Sequence, residues 1–230
     1  MSRNVGSVLV TGGASGLGAA VCAAVEDDGG AALVLDRKRP QANWPHRIVD
    51  LADTRSAEDA VRSLVDETGG RLDAVVTAAG VDRCGKLSEV DAKEWEQVIA
   101  VNLLGTAAVV RASLPYLTAG HGRVVTVAST LGVKALSDAT AYCASKFGVV
   151  GFTRALAAET QGEIGVTLLI PGGMSTHFFD DRPAQYRPGP DAKLNAPENV
   201  AQAVLFALGQ PAGCELRELV IAAAEEPSWP

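Results

Sequence analysis

Short, almost unbroken apolar runs recur along the chain, and most are followed by a longer stretch with apolar positions at helical spacing. The runs at 7–11, 32–36, 47–50, 72–78, 123–128, 166–170 and 218–222 read as strands. They are continuously apolar rather than alternating, the pattern of strands covered on both faces of a parallel sheet. The stretches at 17–28, 55–68, 91–117, 139–160 and 197–208 read as helices. Asp91 with Glu94 three residues on forms a capping-box pattern, and Pro197 suits a first helical turn. Repeated strand–helix alternation predicts an α/β fold: a doubly wound, mostly parallel seven-stranded sheet with helices on both faces. The interval between Asp36 and Asp50 contains Pro40 and Pro45, so its crossover helix is expected to be shortened or absent. One domain over residues 1–230 is expected, with the polar stretch around 172–195 as a lid.

Composition narrows the function. Twenty basic against 27 acidic residues leave a net charge of −7, which argues against a nucleic acid or an anionic membrane as partner. Cys22, Cys84, Cys143 and Cys214 form no C-x-x-C pair, and three scattered histidines give no metal spacing. No apolar run reaches the ~18 residues of a membrane span. With no leader-like apolar stretch at the N-terminus, a cytoplasmic protein with reduced thiols is expected.

The first strand runs into Thr11-Gly12-Gly13-Ala14-Ser15-Gly16-Leu17-Gly18 at the start of a helix. Glycines there permit a tight turn and let backbone N–H groups approach a pyrophosphate. Asp36 closes the second strand, where a carboxylate accepts bonds from ribose hydroxyls. It would also repel a 2′-phosphate, which favours NAD over NADP, although Arg37, Lys38 and Arg39 follow it directly. Farther on, Tyr142 and Lys146 stand four residues apart on one helix face, and Ser129 ends a strand at the sheet's carboxyl edge. A tyrosine needs a neighbouring positive charge to act as a base near neutral pH, and Lys146 supplies it. Asn102 is an unfavourable residue for the interior of a long helix, and its amide is a candidate anchor for a proton-relaying water.

Together Thr11-Gly12-x-x-x-Gly16-x-Gly18, Asn102, Ser129, Tyr142, Lys146 and Pro171-Gly172 followed by Thr176 resemble the short-chain dehydrogenase/reductase family, compact single-domain type. The resemblance implies hydride transfer between NAD(H) and a secondary alcohol or ketone, with Tyr142 as acid/base. It implies a cofactor bed of Gly12, Ala14, Ser15, Gly16, Leu17, Gly18, Asp36 and Arg37, with Asp50 and Leu51 at the adenine. Ala78, Ala79, Gly80, Lys146, Pro171, Gly172 and Thr176 complete it. Arg83, Thr130, Leu131, Lys134, Leu136, Gly173, His177 and Phe178 are rim candidates for a small-molecule substrate, beside Ser129 and Tyr142. Asp180, Asp181, Arg182 and Arg187 are candidates for reading its polar groups.

Departures are equally specific. Thr77 stands where the family often has Asn, and local hydrogen bonding by its hydroxyl is expected to support the sheet. The family's glycine-rich finish is replaced by the stretch 222–230, which contains Trp229; this weakens the expectation of a homotetramer and leaves a homodimer open. Two rival functions remain at this stage: a nicotinamide-binding sensor or scaffold without turnover, and a cofactor-recycling epimerase or dehydratase.

Overall fold

The computed structural model describes residues 4–226. Residues 227–230, Trp229 among them, lie outside the described residues. The seven expected strands are present as β1 (Ser7–Thr11), β2 (Ala31–Asp36), β3 (His46–Ile48), β4 (Ala74–Thr77), β5 (Arg123–Val127), β6 (Gly165–Pro171) and β7 (Glu218–Ile221). They form one sheet in the order β3-β2-β1-β4-β5-β6-β7, and every pairing is parallel rather than most of them. Strand order reverses at β1 and β4, the switch point where open α/β sheets bind ligands beyond their carboxyl ends.

Helices α1 (Gly16–Asp27), α2 (Thr54–Glu67), α3 (Ala92–Ile99), α4 (Thr106–Gly120), α5 (Thr140–Glu159) and α6 (Pro197–Leu208) cover both faces. Successive strand side chains alternate between two cores. Leu9 joins a cluster beneath α2 and α4, while Val8 and Val10 join one beneath α1 and α6. As the two prolines predict, no helix links β2 to β3. The connection is an extended loop with Trp44 half-buried on the α1/α6 core, and β3 is only three residues long and begins one residue earlier than expected.

Two expectations need correction. The single helix expected over 91–117 is α3 and α4 joined by a π-helical segment, Ala100–Gly105, and it runs on to Gly120. The stretch Ala92–Gly120 is also long and apolar enough to cross a membrane, contrary to the sequence reading. With 56% of its most apolar window buried against the rest of the protein, it serves as a core helix. The π segment is packed in place: a Cβ on Gly105 would stand 2.8 Å from the Leu51 carbonyl oxygen.

Thr77 is the second correction. Its hydroxyl is buried at the end of β4 with no hydrogen-bond partner, so it supports nothing locally. An unsatisfied buried hydroxyl opposes folding, whereas an apolar group of the same shape does not. Thr77→Val is expected to raise stability by about 1 kcal/mol, read as a higher midpoint in urea unfolding. A loss of stability would mean that the hydroxyl has a partner after all.

Candidate active site

At the carboxyl edge of β1 the chain turns sharply into α1. Gly12 has φ +74°, a left-handed conformation natural to glycine. A Cβ there would also sit 2.9 Å from the Ala79 backbone, and one on Gly18 would run into the Gly12 carbonyl oxygen. Two glycines therefore let the turn, the α1 terminus and the segment after β4 share one space. Thr11 Oγ1 ties the same corner by accepting from the Ala79 N–H at 3.1 Å.

The start of α1 contrasts with those of α2 and α3. Asp53 and Asp91 cap the latter two through their side chains, while Ser15 makes no side-chain cap. For Asp91 only half of the expected box forms, because the Glu94 carboxylate pairs with Arg83 instead. Uncapped N–H groups at a helix N-terminus, within a glycine turn, suit a phosphate. Asp36 is fastened to this turn: Oδ2 accepts from the Ala14 N–H and Oδ1 from the Lys38 N–H, both at 2.9 Å. Arg37 reaches to 4.0 Å from the Asp50 carboxylate, which offsets its charge. Leu51 is buried in the core under the π segment, so of the expected adenine pair only Asp50 lies at the surface.

The catalytic candidates converge on the same edge. Ser129, just past β5, is hydrogen-bonded to the Tyr142 hydroxyl on α5, and its Oγ also accepts from the Leu131 N–H at 3.1 Å. Lys146 lies one turn along α5, with Nζ donating to the Val127 carbonyl at 2.8 Å and standing 5.6 Å from the Tyr142 ring centre. A Cβ on Gly80 would be 3.7 Å from Nζ and 3.6 Å from the Asn102 Oδ1 atom, so the segment after β4 closes over both.

Asn102 is positioned by the π segment, a distortion often found at functional sites. Its Oδ1 accepts from the Val81 N–H at 2.8 Å, and Nδ2 donates to the Val81 carbonyl and to Ser145 Oγ. Ser145 Oγ in turn donates to the Tyr142 carbonyl at 2.8 Å. Both amide protons are thus committed to protein, so the amide clamps the site rather than offering donors to a water.

Burial dominates the electrostatics. It pushes the Tyr142 hydroxyl well above its ordinary range, and the Ser129 hydrogen bond works against that rise. The same burial brings the Lys146 ammonium down to about 8. The charges of Asp82 and Arg182 also reach Tyr142, the first raising and the second lowering its pKa.

The segment after β6 leaves and returns through one neck, where Ser175 donates to the Asn195 carbonyl and Asn195 to the Gly173 carbonyl. Gly173 also donates to the Glu226 carboxylate, while Gly172 donates to the Ile221 carbonyl. Thr176, which the resemblance puts in the cofactor bed, caps the short turn His177–Phe179 and packs against Gly16 of the glycine turn. Phe178 lies against Tyr142, ring centres 5.7 Å apart. His177 is exposed, pairs with Asp180, and borders a separate cleft of about 760 Å³ between α1 and α6.

Among the other rim candidates, Thr130 is buried, Lys134 and Leu131 are half-buried, and Leu136 is exposed. Arg83 is held outward by Glu94, and Arg187 donates within the segment after β6 to the Asp180 and Arg182 carbonyls. Sequence reasoning passed over Asp82. It is buried two residues beyond Gly80 and takes a 2.6 Å bond from Arg182 of the segment after β6. A charged residue following the glycine at the sheet's carboxyl edge was the available signal.

The family description "short chain dehydrogenase" matches residues 6–187, most of the chain. The chain belongs to the short-chain dehydrogenase family. This short-chain dehydrogenase is 35% identical to D-threitol dehydrogenase of Mycolicibacterium smegmatis, over 86% of its own length and 84% of the relative's. It is 31% identical to L-fucose dehydrogenase of Bos taurus, covering 95% and 88% of the two chains. Among solved structures, an alcohol dehydrogenase from Thermococcus sibiricus complexed with 5-hydroxy-NADP shares the fold at 22% identity. Its TM-score is 0.85, with 96% of this chain and 97% of that one covered.

Keeping a cation at Lys146 in this dry position opposes folding. Lys146→Met is expected to raise stability by about 1 kcal/mol or more near neutral pH, because the buried charge is removed. The gain should shrink as pH rises through about 8, where the wild-type lysine sheds its proton. Urea unfolding at several pH values checks this, and a destabilised variant at neutral pH would contradict it.

Proposed function

We propose that this short-chain dehydrogenase transfers hydride between NAD(H) and a secondary alcohol or ketone, with Tyr142 as the acid/base. The observation that carries this reading is the pairing of Ser129 with the buried Tyr142 hydroxyl, Lys146 one helical turn away, on the carboxyl edge of the sheet that also bears the glycine turn. The glycine turn, the uncapped α1 terminus and Asp36 fit a dinucleotide: Gly12 and Gly18 let the turn pack tightly on the Ala79 backbone and the α1 terminus, and no side chain caps the N–H groups presented there. Once bound there, the nicotinamide supplies the hydride acceptor or donor.

The protein's own residues manage the proton. Ser129 holds the substrate oxygen and Tyr142 takes or gives the hydroxyl proton. The Lys146 ammonium favours the phenolate, and its burial keeps that charge effective by excluding water. Because burial raises the Tyr142 pKa, the phenolate fraction grows with pH, and alcohol oxidation should quicken only up to about pH 8, where Lys146 sheds the charge that favours the phenolate. Asp36 faces the turn with no compensating free cation from Arg37, which supports NAD over NADP. The dehydrogenase relatives named for D-threitol and L-fucose support a small alcohol as the substrate.

The test follows nicotinamide absorbance with secondary alcohols and ketones. Wild-type protein is expected to turn over NAD in preference to NADP. Tyr142→Phe should lose about a hundred- to ten-thousand-fold in kcat while still binding NAD. A Tyr142→Phe protein of full activity would overturn the mechanism, and NAD binding without any net conversion would favour a sensor.

A further inference from the structure

Beside the Phe178–Tyr142 contact, a largely buried ion pair joins the lid to the body of the site. Asp82, its side chain 3% exposed, accepts from Arg182 Nη2 at 2.6 Å, and the Arg182 side chain is 16% exposed. An arginine and a carboxylate can meet through two parallel bonds. Only one is made here. Asp82 Oδ1 and Arg182 Nε are both buried without a hydrogen-bond partner, while the Cys84 thiol donates to the already occupied Oδ2. Both residues line a cleft of about 450 Å³ between the lid and the segment after β4. The guanidinium also lies over Phe178 and Phe179, at 5.2 and 4.6 Å, and Phe178 rests on Tyr142. The half-made pair therefore stands one aromatic ring away from the acid/base.

We propose that Asp82 and Arg182 bind a second hydroxyl of the substrate, making this enzyme selective for polyols and sugars over simple alcohols. The inference rests on the dehydrogenase reading above and extends it. One open acceptor and one open donor match a hydroxyl, which gives a proton to Oδ1 and takes one from Nε–H. A carboxylate substrate would meet the Asp82 charge, an ammonium would leave Nε unpaired, and an alkyl group would leave both atoms unpaired. Sites built to hydrogen-bond a hydroxyl reject the analogue that lacks it for this reason. The two atoms are shut off from water, so the hydroxyl enters as the lid eases from the Asp82 segment.

The experiment compares threitol with 2-butanol, by kcat/KM and by the rise in Tm that each induces with NAD present. It uses the wild-type protein, Asp82→Asn and Arg182→Met. The wild type should favour threitol, and each variant should lose at least about tenfold more on threitol than on 2-butanol. Threitol should raise the wild-type Tm and leave that of Asp82→Asn unmoved, a readout independent of turnover. Equal losses on both alcohols would reduce the pair to a lid latch and overturn the proposal. Turnover of 2-butanol without preference for threitol would overturn it while the dehydrogenase reading stands. Threitol stabilisation that depends on Asp82, without turnover of either alcohol, would uphold the pair and overturn the dehydrogenase reading. Neither turnover nor stabilisation would overturn both.

Discussion

The Asn102 side chain holds three parts of the site in register. Its amide is matched at both ends to the Val81 backbone, fixing the segment that follows β4. Its remaining proton goes to Ser145, which passes the restraint to the Tyr142 carbonyl on α5. The π segment makes this possible by turning one residue of a long core helix toward the sheet edge. Without that distortion the helix would continue smoothly past the site, and α5 would lose its tie through Ser145 to the segment after β4. A small residue beside the clamp, Gly105, lets the π segment approach the Leu51 backbone closely.

The clamp matters because the chemistry sits in a place that disfavours charge. Burial works against the Tyr142 phenolate and the Lys146 ammonium together. In the proposed mechanism, the Ser129 hydroxyl and a fixed lysine distance are then the means of bringing a proton off Tyr142. Those means fail if α5 shifts, since a displacement of about 1 Å can cost two orders of magnitude in rate. The orphaned Thr77 hydroxyl and the half-made Asp82–Arg182 pair lie on the same edge, as unsatisfied groups at functional sites often do.

Much of this was legible in the sequence. Continuous apolar runs gave the seven strands and their parallel arrangement, and Pro40 and Pro45 gave the missing crossover helix. The spacing of Gly12, Gly16 and Gly18, and of Ser129, Tyr142 and Lys146, picked out residues that fold to one edge. Less was legible where partners are distant in sequence. Asn102 stood out as a poor helix residue, but its partners, 21 and 43 positions away, could not be inferred from local pattern. The Asp82–Arg182 contact spans 100 positions, so Asp82 passed unnoticed beside the more conspicuous Arg83. Leu51 belongs to a helix-packing contact rather than the surface, which depends on the π segment and has no local signature.

The most direct measurement is single-turnover hydride transfer in Asn102→Ala, with NAD affinity determined in parallel. The clamp account predicts that hydride transfer slows by at least about a hundredfold, because Tyr142 and Lys146 lose their register. NAD affinity should fall far less than the rate, since the glycine turn and Asp36 do not touch Asn102 even though the segment after β4 does. Hydride transfer at the wild-type rate in a folded Asn102→Ala protein would contradict it.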